Sequence, residues 1–184
     1  MSLADLLTIL RLILVPFFLI AFLKADYLIA FILFSIAGFT DLVDGTIARL
    51  LKTQTKLGAF LDPVADKALM VTTVTSLLLI HVIPLWFFLL VVIRDAMILG
   101  GLGYCRIKKI QVQLKPVLSS KLATLSNIIM VVFGFLAFLY PQTLFFTKSL
   151  HFWFRLFLGS STLLIMISGL EYGLAGLRLC QNRN

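Results

Sequence analysis

Residues 68–93 read ALMVTTVTSLLLIHVIPLWFFLLVVI, a stretch without a single charged side chain. A helix crosses the hydrocarbon core of a bilayer in about 20 residues, so this stretch is too long for one comfortable span. Pro84 interrupts it within the segment His81-Val82-Ile83-Pro84, and proline restricts the preceding residue and favours helix starts. The stretch therefore predicts two membrane-spanning helices joined by a tight turn.

The composition outside this stretch indicates the same class of protein. Of the 184 residues, 61% are hydrophobic and 13% are charged, whereas soluble domains average about 45–50% and about 25%. These values exclude an ordinary soluble globule and a disordered chain, and two isolated cysteines exclude a disulfide-stapled module. We therefore expect an all-α integral membrane protein with one domain over residues 1–184. The six predicted spans are 6–23, 28–48, 58–81, 85–105, 121–140 and 153–176.

The charge distribution predicts the orientation of these spans. The formal net charge is +8, and no basic run interleaved with aromatic residues indicates nucleic-acid binding. Basic residues concentrate in alternate loops and at the C-terminus, whereas the opposite side carries only Lys24, Lys148 and Arg155. Because cytoplasmic loops are enriched in Lys and Arg, both termini are predicted to be cytoplasmic. Four aromatic residues that would form an interfacial belt lie near the other side: Tyr27, Trp86, Tyr140 and Trp153.

Four of the eight acidic residues flank the loop between the second and third predicted spans: Asp41, Asp44, Asp62 and Asp66. An Asp at the centre of a membrane helix costs about 2.5–3.5 kcal/mol on insertion scales, and less near a helix end. The members of the two pairs are three and four residues apart, so each pair lies on one helix face. Turned toward each other, the two faces would form a bowl of carboxylates that opens to the cytoplasm.

This acidic set predicts a site for divalent cations. Hard divalent cations take oxygen ligands, and two metal ions that share carboxylates suit phosphoryl chemistry. Small residues at 45, 48 and 58 would let a ligand approach the backbone, and Arg49 adds a forked donor for phosphate. The combination predicts a site for a nucleotide diphosphate. The alternative is that these Asp residues are helix caps or solvated residues at the membrane boundary.

The whole string, D-x2-D-G-x2-A-R-x8-G-x3-D-x3-D over residues 41–66, resembles the signature of the CDP-alcohol phosphatidyltransferases, and every fixed position is matched. The similarity extends through residues 6–11, Pro16 and residues 55–58, and more loosely to about residue 127. The resemblance implies a six-helix membrane fold with a cytoplasmic-facing polar cavity. It also implies a homodimer that transfers a phosphatidyl group from CDP-diacylglycerol to an alcohol and releases CMP.

The resemblance also implies a role for each matched residue. Two Mg²⁺ ions, or Mn²⁺, would be held by Asp41, Asp44 and Asp62, with Asp66 completing the second site. Asp66 would also be the general base that takes the proton of the acceptor hydroxyl. The CDP donor would be bound by Asp41, Gly45, Ala48, Arg49 and Gly58, with the three small residues lining the cytidine pocket.

The acceptor is expected to be a glycerol-type alcohol, with glycerol 3-phosphate ahead of phosphatidylglycerol. The first half of the chain resembles phosphatidylglycerophosphate synthases, whereas Arg94-Asp95 and the stretch 115–121 resemble cardiolipin synthases of the eukaryotic type. Four basic residues are candidates for acceptor binding: Arg94, Lys115, Lys121 and Arg11. The alternatives are an intramembrane ion pair for Arg94 with Asp95, and cations that snorkel to the interface for Lys121 and Arg11.

Two other function classes fit an acidic membrane cavity less well. A divalent-cation carrier would need a second polar cluster across the bilayer, and neither this nor an internal repeat is visible. An inactive scaffold is hard to reconcile with four intact Asp residues. We expect contact with membrane lipids, and a bacterial inner membrane as the location, because nothing basic precedes Arg11 as in a cleavable signal peptide.

Overall fold

The computed structural model describes the backbone of residues 3–51, 58–107, 118–145 and 148–181, and the side chains of 8–40, 64–98, 100, 118–145 and 148–173. The described backbone is mostly helical, with one short hairpin. The elements are α1 (Leu3–Leu23), α2 (Tyr27–Leu51), α3 (Gly58–Leu79), α4 (Leu85–Ile107), α5 (Leu118–Leu139), β1 (Leu144–Phe145), β2 (Lys148–Ser149) and α6 (Leu150–Gln181).

The six predicted helices are confirmed as helices. Their ends fall within three residues of the predicted ones, except that α6 continues to Gln181. The β1–β2 hairpin was not predicted. It pairs antiparallel with Leu144 opposite Ser149 and Phe145 opposite Lys148, and two residues a strand are too few to give an alternating pattern in the sequence.

Helix α1 ends in a Schellman motif whose left-handed residue is not glycine. The Asp26 N–H donates to the Ala21 carbonyl and the Ala25 N–H to the Phe22 carbonyl, both at 3.0 Å. Ala25 has a φ of 62°, a conformation that glycine adopts at lower cost. The motif satisfies two terminal carbonyls of α1 and turns the chain directly into α2.

The break at Pro84 is confirmed. His81 follows the end of α3 with a φ of 57°, and the Pro84 carbonyl accepts from the N–H groups of Phe87 (3.1 Å) and Phe88 (3.3 Å). Proline thus stands just before α4, where its missing N–H has no helical partner to lose.

The chain divides into two compact units, Met1–Ile80 and His81–Asn184. In the first unit, α1 packs against α2 and α3, and Ala30 and Ala37 are fully buried seven residues apart on one face of α2. In the second unit, α6 packs against α4 and α5, around the buried side chains of Phe87, Met130 and Phe135. A single domain over residues 1–184 stays a prediction.

The described helices expose many large apolar side chains and bury several ionisable ones. Large apolar residues are exposed along every described helix, for example Phe39 (67%) and Leu163 (63%), whereas Arg11, Arg94 and Asp95 are buried. Lipid-facing helices expose apolar residues and keep ionisable ones inside. Over the described residues, α5 and the Leu150–Gly173 part of α6 are long and apolar enough to cross a membrane. Six spans around a polar cavity stay a prediction.

Candidate functional site

The two halves of the acidic motif lie at one end of the first unit. Asp41, Asp44 and the donor-site residues Gly45, Ala48 and Arg49 belong to the C-terminal part of α2, and Gly58, Asp62 and Asp66 to the first turns of α3. Only residues 52–57 separate the two helices, so the backbone brings both halves of the motif to the same end. The side chains of 41–51 and 58–63 lie outside the described ones, as do the contacts among them.

Asp66 is the one carboxylate of the motif whose side chain is described. It is half-buried beside the fully buried Ala65, and both Asp66 and its neighbour Lys67 interact with other groups of the protein. Among the described side chains, no group of three or more His, Cys, Asp or Glu could hold a metal ion. Because three of the four Asp residues fall outside that set, the two-metal site stays a prediction.

Arg11 is buried inside the protein. Its relative exposure is 0%, and Thr8, one turn earlier on α1, is 2% exposed. A snorkelling arginine would extend its guanidinium to the interface, so complete burial disfavours that alternative. Arg11 also interacts with other groups of the protein, and its part in acceptor binding stays a prediction.

Arg94 joins three helices of the second unit. Its Nη1 lies 2.7 Å from Asp95 Oδ1, and its Nη2 donates to Ser120 Oγ at 2.6 Å and, more weakly, to Ser168 Oγ at 3.5 Å. The guanidinium of α4 is thereby held by α5 and α6 as well as by its own neighbour. The ion pair that we kept as an alternative is present, and the Asp95 carboxylate neutralises much of the positive charge of Arg94.

The two other acceptor candidates of the second unit are Lys121 and Lys115. Lys121 follows Ser120 directly, at the start of α5, and its side chain is exposed. Lys115 lies outside the described residues. Arg94 therefore lies next to the first turn of α5. Among the described side chains, no contact joins Lys121 to Arg94.

Sequence reasoning missed a seam of hydroxyl groups between α5 and α6. Ser126 Oγ lies 2.8 Å from Ser161 Oγ and 3.0 Å from Ser160 Oγ. At the N-terminal end of α5, Ser119 donates to Glu171 of α6. Such bonds hold helices together in apolar surroundings. The only signal in the sequence was the recurrence of serine within otherwise apolar helices.

Two buried polar atoms of the second unit have no hydrogen-bond partner among the described residues. They are Arg94 Nε and Asn127 Oδ1. Ser120 and Asn127 are seven residues apart and so lie on one face of α5. The buried polar groups of α4, α5 and α6 thus form several hydrogen bonds, but these two atoms form none among the described residues.

Apolar helices with buried ionisable groups indicate a helical membrane-associated protein. The chain matches the sequence model of the CDP-alcohol phosphatidyltransferases over residues 1–167. It belongs to the CDP-alcohol phosphatidyltransferase family, as the motif at 41–66 predicted.

Similar curated proteins carry three different names. A "Probable cardiolipin synthase (CMP-forming)" of Drosophila melanogaster is 41% identical over 102 residues, which cover 55% of this chain and 32% of the fly protein. A "CDP-diacylglycerol--glycerol-3-phosphate 3-phosphatidyltransferase" of Haemophilus influenzae is 53% identical over 68 residues, which cover 35% of this chain and 37% of that protein. A "Probable phosphatidylglycerophosphate synthase" of Mycobacterium tuberculosis is 37% identical over 100 residues, 51% of this chain and 48% of that protein. The matched parts span between a third and a half of these relatives.

Proposed function

We propose that this protein transfers a phosphatidyl group from CDP-diacylglycerol to a glycerol-type alcohol and releases CMP. The observation that carries the proposal is the complete motif at 41–66 in a chain of this family. The acceptor hydroxyl oxygen forms a bond to the phosphorus that bears the diacylglycerol, and the bond from that phosphorus to the CMP oxygen breaks. The hydroxyl proton leaves with the base, so the products are a phosphodiester lipid and CMP. Membership of this family also argues against a cation carrier.

The general base is Asp66. Its half-buried carboxylate is partly shielded from water while other carboxylates of the motif lie nearby along the chain. A general base must lie within reach of the proton that it takes, and Asp66 lies at the same end of the first unit as the motif residues that bind the donor in this proposal.

The donor set of the motif fits a divalent cation. Asp41, Asp44, Asp62 and Asp66 supply the carboxylate oxygens that Mg²⁺ or Mn²⁺ prefers, and the backbone carries them all at one end of the first unit. Such an ion, when bound, neutralises charge on the pyrophosphate of the donor. Asp41, Gly45, Ala48, Arg49 and Gly58 bind the CDP group in this proposal.

Glycerol 3-phosphate and phosphatidylglycerol are the two candidate acceptors. A dianionic acceptor such as glycerol 3-phosphate requires unpaired cations. Arg94 is paired with Asp95 at 2.7 Å, so less positive charge is left at this position to bind a dianion. We therefore prefer phosphatidylglycerol as the acceptor, because its phosphate bears one charge. Lys115, Lys121 and Arg11 are the other residues that contact the acceptor in this proposal.

The membrane arrangement is part of the proposal. All six helices span the bilayer with both termini in the cytoplasm, which suits a bacterial inner membrane, and the protein acts as a homodimer. The exposed apolar residues on every described helix and the excess of basic residues in alternate loops support this topology. Cysteine labelling of single-cysteine variants on each side of the membrane tests it.

CMP release by the purified protein tests the activity. CDP-diacylglycerol and Mg²⁺ are supplied with glycerol 3-phosphate in one reaction and phosphatidylglycerol in another, with EDTA as the control. We expect metal-dependent release with phosphatidylglycerol. Release with glycerol 3-phosphate alone would reverse the choice of acceptor, and no release with either would contradict the proposed reaction.

Lys121→Ala sharpens the assignment of the acceptor site. We expect this change to raise the KM for the acceptor without greatly weakening the binding of CDP-diacylglycerol, because Lys121 lies beside the Arg94–Ser120 contact. An unchanged KM for the acceptor would remove Lys121 from the site.

A further inference from the structure

The β1–β2 hairpin between α5 and α6 is a polar backbone element next to two apolar helices. Its strands have two residues each, and no third strand pairs with either edge among the described residues. Unpaired backbone groups are not tolerated in the hydrocarbon core of a bilayer. The hairpin therefore lies at the level of the lipid headgroups.

An aromatic cluster fixes the hairpin on the helices. Trp153 of α6 donates its indole N–H to the Phe145 carbonyl of β1 at 2.8 Å. Its ring stacks on Phe133 of α5 and Phe157 of α6, with centroids 6.2 and 6.4 Å apart, respectively. Tryptophan with a satisfied N–H and an apolar body is typical of the membrane interface. The position of Trp153 therefore sets the depth of the hairpin.

Two cations lie on this surface, and no carboxylate among the described side chains pairs with either of them. Lys148 Nζ stands 5.5 Å from the centre of the Phe152 ring, and Arg155 follows one turn after Phe152 on α6, with both cationic side chains exposed. No acidic residue occurs between positions 96 and 170. Within the described part of the chain, neither cation has an ion-pair partner.

This surface is separate from the proposed acceptor site. Arg94 contacts Ser120 at the start of α5, whereas the hairpin follows the end of α5 at Leu139. The helix has 22 residues, and at about 1.5 Å per residue its length is about 33 Å. This is close to the hydrocarbon thickness of a bilayer, about 30 Å. The two sites therefore contact opposite leaflets.

We propose that the hairpin and the first turns of α6 bind the phosphate of an anionic phospholipid in the non-cytoplasmic leaflet, with Lys148 and Arg155 as the cations. The uncompensated positive charge selects anionic lipids, because the headgroups of phosphatidylcholine and phosphatidylethanolamine carry their own cation. The proposal depends on the membrane topology and not on the proposed reaction, so a lack of transferase activity would leave it intact.

Fluorescence quenching by brominated lipids tests this site. The chain has two tryptophans, and Trp86→Phe leaves Trp153 as the sole reporter beside Lys148 and Arg155. This variant is placed in bilayers that contain either brominated phosphatidylglycerol or brominated phosphatidylcholine at the same mole fraction. Attraction of an anionic lipid to one surface cation corresponds to about a fivefold gain in local binding. We therefore expect an apparent affinity at least about fivefold higher for the anionic quencher.

Variants that remove a positive charge then show which residues cause the preference for the anionic lipid. Lys148→Gln with Arg155→Gln is expected to abolish the preference for phosphatidylglycerol while quenching by brominated phosphatidylcholine stays the same, which also shows that the variant is inserted. The matched control is Lys24→Gln, which removes an exposed cation from the α1–α2 turn on the same predicted side, and it should keep the preference.

Three results would overturn the proposal. The first is equal quenching by the two lipids before any charge is removed. The second is a preference that persists in the double variant or disappears in the Lys24 control. The third is quenching of Trp153 by aqueous iodide but by neither lipid, since this would place the hairpin in water.

Discussion

The two units use hydroxyl groups in different ways. In the first unit, hydroxyls with described partners bond to carbonyls of their own helix three or four residues earlier, as Thr72 does to Ala68 and Ser76 to Thr72. In the second unit, Thr124 and Thr162 also bond to carbonyls of their own helix. Bonds to other helices are added there by Ser119, Ser120 and Ser126. An intrahelical bond satisfies a hydroxyl without linking helices, whereas an interhelical bond fixes their register.

This difference separates two roles for polar groups in apolar helices. The described core of the first unit includes small and aromatic residues, such as Ala30, Ala37 and Phe18, and the acidic motif lies at one end of this unit. The polar core of the second unit bonds mainly to itself, as Arg94 does with Asp95 and Ser120. We therefore expect charged residues to matter for chemistry in the first unit and for stability in the second.

The largest effect is expected for Asp62→Asn in the first unit. Loss of one carboxylate ligand should lower the rate of CMP release by about 100-fold or more, since a metal ion supplies several kcal/mol of charge stabilisation. The thermal unfolding midpoint in detergent should hardly change. The control is Asp26→Asn, an exposed residue of the α1–α2 turn, which should keep full activity. A near-normal rate for Asp62→Asn would contradict the metal site.

The next largest effect is expected for Asp95→Asn in the second unit. The change leaves the buried Arg94 cation without its counterion and should cost about 3–5 kcal/mol of stability. The unfolding midpoint in detergent measures this loss. Replacing both members, Arg94→Met with Asp95→Leu, should recover much of it, because no buried charge is then left alone.

The opposite result for Asp95→Asn would contradict the assignment of a structural role to the charges of the second unit. If stability is unchanged and the KM for the acceptor shifts, Arg94 is a binding group that Asp95 positions. In that case charged residues of the second unit also take part in binding the acceptor.

A smaller effect is expected when hydroxyls are removed one at a time. Ser126→Ala deletes both bonds to α6 and should cost about 1 kcal/mol. Ser76→Ala is the matched control, because this buried serine bonds only within α3 among the described residues, and the cost should stay within about 0.5 kcal/mol. Equal losses in the two variants would show that the interhelical seam adds nothing specific.

The smallest effect is expected at the end of α1. Ala25→Gly should stabilise the protein by up to about 1 kcal/mol, because the left-handed φ of 62° strains alanine but not glycine. The control is Ala96→Gly in the exposed middle of α4, where glycine should destabilise by about 0.5–1 kcal/mol. A loss of stability at both positions would contradict the assignment of the turn.

Much of the fold could be predicted because hydrophobic runs and Pro84 report helix lengths directly. The hairpin at 144–149 could not, because its two-residue strands depend on the Trp153–Phe145 hydrogen bond rather than on a local pattern. The candidate site likewise has residues that the sequence predicted and residues that it did not. The motif at 41–66 was found from spacing alone, whereas Ser120 and Ser168 as partners of Arg94 lie 26 and 74 residues away from it.

The helices, the family and the acidic motif follow from the amino-acid sequence alone, because hydropathy and fixed spacing along one helix are local properties of the chain. The pairing of Arg94 with Asp95, its bonds to α5 and α6, and the contact of Ser126 with Ser161 became known only from the packed helices. A buried polar group must find partners wherever packing brings them. In an apolar helix bundle those partners come from distant parts of the chain, so no local pattern records them.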